Sequence, residues 1–395
     1  MPPPTLELAD IFRRHGPAYR QTHDLPLHHH RLMRAIENCR TPALGGVVEW
    51  CDQCQYNHIH YRSCRNRHCP KCQGLARAHW LQQRRAELLP VEYFHVVFTL
   101  PEAIEAVAFY NKTIVYDLLF RTSAQTLLSI AADPKRLGVE TGFFAVLHSW
   151  GQNLHFHPHL HCVVPGGGLS PRQERWIHAR PRFLLPVRVL SARFRHLFLD
   201  ALEQAYAAGQ LQFFGDLAGL SDPATFARYL APLKLSPWVV YAKPPFGGPQ
   251  QVLEYLGRYT HRVAISNQRL QKLEDAQVTF EWKDYRDAQL KPMTLSADEF
   301  IRRFLLHALP PGFQRIRYYG FLANCHRKAK LALCLQLLAT AASLLLPQQA
   351  ECRDFLAALT RTDLRLCPQC GRGILTRVSF FPPSHLPVPL RLDSS

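Results

Sequence analysis

Apolar positions along this chain switch between a helical and a strand-like period. Residues 5–40 space Leu, Ile, Phe and Met at helical intervals between His- and Arg-rich faces, and residues 76–89 predict a further helix. Residues 93–100 (YFHVVFTL) form a continuous aromatic and β-branched run closed by Pro101, which predicts a buried strand. One or two helices follow over residues 102–131, then strands over 143–150 and 159–164. The second of these ends in Pro165-Gly166-Gly167-Gly168, which reads as a turn whose glycines leave a ligand unobstructed. Residues 190–209 and 222–231 read as helices, 238–242 as a strand, 249–259 as a helix opened by Pro249, 278–285 as a strand and 297–307 as an amphipathic helix. Antiparallel strands with inserted helices predict an α+β fold for residues 91–310. The flanks are a helical, cysteine-rich segment over 1–90 and a C-terminal region over 311–395 that is helical, carries a Cys-x-x-Cys pair and ends in a proline-rich tail. The apolar run 331–346 falls short of the roughly 20 residues a membrane span requires and is interrupted by Gln336, Thr340 and Ser343. It predicts a buried helix, with membrane contact as the alternative.

Composition narrows the class. With 47% apolar residues in 395, a substantial core is available and wholesale disorder is excluded. The formal net charge of +17, spread along the chain, points to a polyanionic partner, with nucleic acid ahead of an anionic membrane surface. Cysteines cluster in Cys-x-x-Cys pairs, and Met1-Pro2-Pro3-Pro4-Thr5-Leu6-Glu7 lacks the basic and apolar regions of a signal peptide. Zinc thiolates in a reducing cytoplasm are the expectation.

Cys51-Asp52-Gln53-Cys54 and Cys69-Pro70-Lys71-Cys72 are two knuckles with 14 residues between them. Together Cys51, Cys54, Cys69 and Cys72 fit one closed, tetrahedral structural zinc site. Cys64, His58, His60 and His68 lie between the knuckles and suit a second zinc, or else Cys64 or His68 replaces one thiolate. Arg62, Arg65, Arg67 and Lys71, interleaved with the ligands, are expected to meet DNA phosphates. Cys367-Pro368-Gln369-Cys370 is a lone knuckle needing two more ligands, for which His385 and Cys352 are candidates.

His159-Leu160-His161 carries the reactive chemistry. On a strand, residues i and i+2 share a face, so both imidazoles aim together and form an open half of a divalent metal site. A third ligand is required: Gln152 first, then His148, His157 or His261. Tyr255 and Tyr259, four apart on a predicted helix, can reach one target, and Arg258, His261 and Arg262 beside them suit a phosphate. The combination predicts metal-assisted attack of a tyrosine on a phosphodiester. The competing readings are a satisfied structural histidine pair and two core aromatics. Trp150, Trp176 and Tyr318 are candidates for stacking on unpaired bases and equally for the core, while Arg315, Arg317 and Lys328 are candidates for contacts along the strand backbone.

His159-Leu160-His161 resembles the His-hydrophobic-His motif of HUH endonucleases, and Tyr255 with Tyr259 resembles their two-tyrosine branch. Residues 64–72 (CRNRHCPKC) resemble the zinc domain of insertion-sequence-91 type transposases, and residues 93–101, 150–153, 258–266 and 319–324 resemble further segments of them, in the same order. The resemblance implies an HUH domain with a central antiparallel sheet flanked by helices, an N-terminal zinc-binding module, and Tyr255 and Tyr259 as catalytic residues. It implies a bacterial cytoplasmic, nucleoid-associated transposase that nicks and rejoins single-stranded DNA of element ends and target through 5′-phosphotyrosine adducts, rolling-circle fashion. Structural Zn²⁺ and catalytic Mg²⁺ or Mn²⁺ are the implied cofactors. The alternatives are an HUH nickase of plasmid replication or transfer, and a non-catalytic zinc protein that binds DNA.

Overall fold

The computed structural model describes residues 6–85, 87–243, 251–252, 257, 263–284, 287–339, 363 and 365–383. Two helices open the chain, α1 (Leu8–Thr22) and α2 (Leu27–Glu37). Leu8, Ile11, Phe12 and Tyr19 form the buried stripe of α1, Asp10 reaches back to the Glu7 amide at 2.9 Å, and Arg20 ties the two helices through Glu37 at 2.6 Å. A hairpin of β1 (Gly46–Cys51) and β2 (Asn57–Tyr61) leads into α3 (Pro70–Arg85). Next come β3 (Tyr93–Thr99), α4 (Glu102–Tyr110), α5 (Lys112–Ala132), β4 (Gly142–Trp150) and β5 (Phe156–Pro165). A short ribbon, β6 (Gly167–Leu169) with β7 (Trp176–His178), precedes α6 (Val187–Ala207), α7 (Pro223–Leu235) and β8 (Val240–Lys243). Strands β9 (Leu270–Glu274), β10 (Gln277–Lys283) and β11 (Leu290–Ser296), helix α8 (Ala297–Leu306), β12 (Ile316–Gly320), α9 (Arg327–Ala339) and β13 (Leu375–Phe381) follow among the described residues.

The fold is α+β, with a central antiparallel sheet in the order β12-β4-β5-β3-β8 flanked by helices, as the patterning predicts. The two-residue period of β5 divides its side chains. Leu160, Cys162 and Val164 join Phe94, Val96, Phe98, Ala145 and Leu147 in a core closed by α5 and α6, through residues such as Leu119, Phe120, Phe194 and Phe198. On the opposite face, Tyr93, Phe144, Val146 and Val163 pack beneath Leu81 of α3, with Val252, Leu331 and Cys334. The histidines of β5 lie on this second face. Strand β12 closes the edge because Gly320 adopts φ +59 and a Cβ there would stand 1.9 Å from the Thr141 carbonyl oxygen.

Several expectations change. The glycines after β5 are not an open turn: Gly167 and Gly168 belong to β6, and their missing side chains make room for Ile177 and Glu140 backbone oxygens at 2.3 and 2.4 Å from an ideal Cβ. The single strand expected over 278–285 is the middle of a three-stranded sheet; of its outer strands, β9 is five residues with two charges and β11 contains Pro292, so neither signals itself. The three expected segments interlock: β12 completes the central sheet, β13 pairs with β1, and Phe12 of α1 packs edge-on against Phe304 of α8 at 5.5 Å. Among the described residues no helix is long and apolar enough to cross a membrane.

Candidate metal centres

The antiparallel register sets His148 of β4 directly opposite His159 of β5. With His161 they bring three ring nitrogens within 4.8 Å of one another, and two of the rings are well shielded, His148 at 3% exposure and His161 at 9%. His148, a second choice to Gln152 in the sequence, is the third imidazole of this cluster. Gln152 lies half-buried in the turn after β4, where its carbonyl oxygen accepts from the Arg269 guanidinium. His157 is engaged elsewhere, with Nδ1 2.6 Å from Glu105 Oε1.

Hydrogen bonds behind the rings fix their orientation. Nδ1 of His159 lies 2.7 Å from the His157 carbonyl oxygen, which can only accept. Nδ1 therefore carries the proton, and Nε2 keeps the lone pair a metal needs. Nδ1 of His161 lies 2.8 Å from Nε2 of His95, a β3 residue only 2% exposed. Burial, reinforced by Lys243 and His159, lowers the His95 pKa to about 3 and keeps that ring neutral. His95 is absent from the sequence-based site because its run reads as a plain buried strand.

Two described residues of the segment expected to carry the tyrosines, Val252 and Gly257, border this face. Gln251, Val252 and Gly257 are helical; Val252 is buried in the cluster containing Val146 and Val163, and Gly257 lies against Leu81 and Arg77 of α3. Tyr255, Tyr259, Arg258, His261 and Arg262 lie outside the described residues.

The cysteines sort differently from expectation. Cys69 and Cys72, at the start of α3, meet Cys39 and Cys64, with all four sulfurs within 4.8 Å of one another. Cys39 and Cys64 Sγ lie 3.5 and 3.6 Å from Cys72 Sγ. Hydrogen bonds among the thiols push the Cys69 pKa up and pull that of Cys72 down, a conflict that a bound dication removes. Cys51 and Cys54 instead meet Cys367 and Cys370, again within 4.8 Å. The four cysteines assigned to one site thus belong to two, because β13 brings the lone knuckle back beside β1. Neither His385 nor Cys352, both outside the described residues, is needed to complete that quartet.

His68 is no ligand of either quartet, since its Nε2 accepts from the Leu309 amide at 3.3 Å. His58 and His60 sit on β2 against Glu49, with His60 Nε2 2.9 Å from the Glu49 carboxylate, apart from Cys64. Of the interleaved cations, Arg62 and Arg65 are exposed, whereas Arg67 donates to the Phe313 carbonyl and Lys71 pairs with Glu7. Trp150 and Trp176 are core residues, Tyr318 lies beneath the Arg84 and Arg327 guanidiniums, Arg317 pairs with Asp117, and Lys328 is exposed.

Comparison with known proteins joins these features. Residues 11–100 match the family model described as "Transposase zinc-binding domain", and residues 142–330 match the one described as "Putative transposase". The chain is 61% identical over 379 residues to the "Putative transposase y4qJ" of Sinorhizobium fredii (strain NBRC 101917 / NGR234), covering 95% of each chain. It is 30% identical over 289 residues to the "Transposase for insertion sequence element IS801" of Pseudomonas savastanoi pv. phaseolicola, covering 72% of this chain and 68% of that one. The chain belongs to the insertion-sequence-91 family of transposases. No solved structure matches it. In this transposase the first matched segment contains the whole Cys39, Cys64, Cys69, Cys72 quartet and also His95. The second opens at the first residue of β4 and contains all three clustered histidines. Structural zinc follows from the Cys39, Cys64, Cys69, Cys72 quartet together with the zinc-binding domain that contains it.

Proposed function

We propose that this transposase nicks and rejoins single-stranded DNA of its element ends and target through 5′-phosphotyrosine intermediates formed on Tyr255 and Tyr259. His148, His159 and His161 hold the catalytic divalent ion, with His148 rather than Gln152 as the third ligand. The donor set fits such an ion: three imidazoles converge, and at His159 the ring tautomer leaves Nε2 as the donor. Three nitrogen donors favour Mn²⁺ over Mg²⁺, which prefers oxygen. An ion held by these three residues would supply polarisation of the scissile phosphate.

The chain's own groups do the rest. The His157 carbonyl orients His159, and with His161 as its Nδ1–H tautomer His95 accepts from it, so that both rings would present Nε2. The phenol oxygen of one tyrosine bonds to phosphorus as the bond to the 3′ oxygen breaks; the phenol loses its proton and the departing oxygen gains one. Rejoining reverses this exchange, so the adduct conserves the bond energy and no nucleotide cofactor is required. Arg258, His261 and Arg262 neutralise the phosphate.

The observation that carries this reading is the convergence of the three histidines on the sheet face that also receives Val252, three residues before Tyr255. The test mixes the full chain with labelled single-stranded element ends and Mn²⁺ and looks for a labelled protein band that survives denaturing electrophoresis. Tyr255→Phe with Tyr259→Phe should remove the band. A band persisting in the double variant refutes the assignment.

A further inference from the structure

The knuckle Cys367-Pro368-Gln369-Cys370 lies beyond both segments matched by the family models, which end at residues 100 and 330. Its partners lie more than three hundred residues upstream: Cys54 Sγ is 3.6 Å from Cys367 Sγ, and Cys51 Sγ is 3.7 Å from Cys370 Sγ. These separations are far beyond a disulfide bond of about 2.05 Å. They match the edge of a thiolate tetrahedron, which is roughly 3.8 Å for zinc–sulfur bonds of about 2.3 Å.

The backbone around the sulfurs is shaped to bring them together. Gly371 turns with φ +68, and its amide donates to the Cys367 carbonyl at 2.8 Å. The Gly373 amide donates to Cys370 Sγ at 3.3 Å, and a Cβ on Gly373 would lie 2.3 Å from Cys51 Sγ. The Ile374 amide donates to Asp52 Oδ1 at 2.8 Å, locking one knuckle to the other. Strand β13 then runs antiparallel to β1 from Cys51↔Leu375 to Gly46↔Phe381.

Hydrophobic burial does little to keep β13 there. Val378 and Phe380 are each 63% exposed, and Trp50, Ile59 and Tyr61 on the same small sheet are also exposed. A three-stranded sheet with this little buried surface needs another source of cohesion. We propose that Cys51, Cys54, Cys367 and Cys370 bind a second structural zinc ion, which clasps the C-terminal ribbon strand onto the N-terminal module. This site is separate from the first quartet and from the histidine centre, and the inference stands independently of the strand-transfer reading. Removing this zinc frees residues 363–383 while leaving the central sheet in place.

Zinc content of the full chain, measured by inductively coupled plasma mass spectrometry, should fall by one ion per chain in the Cys367→Ser, Cys370→Ser double variant. Equal zinc content in variant and unmodified protein overturns the proposal. A second measurement needs no substitution: thiol alkylation of the zinc-loaded protein, mapped by peptide mass spectrometry with and without a chelator. Cys51, Cys54, Cys367 and Cys370 should be protected together and become reactive together, whereas the exposed Cys325 reacts throughout. Reaction of Cys367 and Cys370 at the Cys325 rate before chelation overturns it.

Discussion

His95 and His161 meet through a ring-to-ring hydrogen bond of 2.8 Å, with their planes only 6° apart. Each comes from a neighbouring strand of the central sheet, and β-pairing fixes both backbones. In the proposed centre His161 is the Nδ1–H tautomer and a neutral His95 accepts from it, so His95 would act on the ion through its neighbour. His95→Phe preserves volume and removes the acceptor; His95→Gln restores one through Oε1. The Mn²⁺ concentration for half-maximal cleavage should rise about 10- to 100-fold in His95→Phe, with partial recovery in His95→Gln. Equal loss in both variants with no shift in Mn²⁺ dependence would leave His95 a packing residue.

The third ligand is separable by substitution. His148→Ala should abolish Mn²⁺ binding measured by calorimetry while both zinc quartets stay loaded. Gln152→Ala should bind Mn²⁺ within a few-fold of the unmodified protein. The opposite order would return the role to Gln152.

His307 makes the fold acid-sensitive. It is 2% exposed, its Nε2 donates to the Leu154 carbonyl at 3.2 Å, and its Nδ1 accepts from the Ser149 hydroxyl at 3.3 Å. Accepting from Ser149 requires a lone pair on Nδ1, and burial, the dominant cause, lowers the ring's pKa to about 3. An unfolded histidine titrates near 6.5, so between about pH 6.5 and 3 the unfolded chain binds a proton that the folded chain refuses. Stability is therefore intact above that window and falls as pH drops through it, by up to ~1.4 kcal/mol per pH unit from this group. Urea unfolding of His307→Gln should show a shallower decline with acid than the unmodified protein. An unchanged slope contradicts the assignment.

The basic residues of the cysteine module divide into two kinds. Arg62 and Arg65 are exposed, whereas Arg67 holds the Phe313 carbonyl. Arg62→Ala and Arg65→Ala should each weaken single-strand binding and flatten the salt dependence of log K by about 0.7 per lost phosphate contact. Arg67→Ala should instead lower the unfolding midpoint. Fluorescence anisotropy across a salt series, beside thermal unfolding, distinguishes the two behaviours.

Gly320 admits no side chain. Its φ of +59 and the Thr141 oxygen 1.9 Å from an ideal Cβ mean that Gly320→Ala must displace β12 from β4. The expected loss is about 2–4 kcal/mol, from left-handed backbone strain plus overpacking. Denaturant unfolding measures it directly, and a change under ~1 kcal/mol would mean the edge relaxes freely.

What the sequence disclosed follows from which forces are local. The His-x-His face was legible because period two is a property of one strand, and the first helices because their apolar stripes are. His148 was visible as a residue of a predicted strand, but its place opposite His159 depends on strand register, which no local pattern encodes. The zinc ligands were misgrouped for the same reason. Cys39 stands alone just after α2, and Cys367 and Cys370 are distant from Cys51 and Cys54 in the chain. Counting would have helped: Cys39, Cys51, Cys54, Cys64, Cys69 and Cys72 leave two thiols over from one quartet, and the lone C-terminal knuckle lacks two.

The central claim is that the three histidines activate a phosphate for attack by Tyr255 or Tyr259. Trapping the full chain on a single-stranded element end with Mn²⁺, digesting the product and sequencing the nucleotide-bearing peptide by mass spectrometry tests it most directly. The account predicts the nucleotide on Tyr255 or Tyr259, and no adduct when His159 and His161 are replaced by Ala. Attachment to any other residue, or an adduct that survives loss of the two histidines, would contradict it.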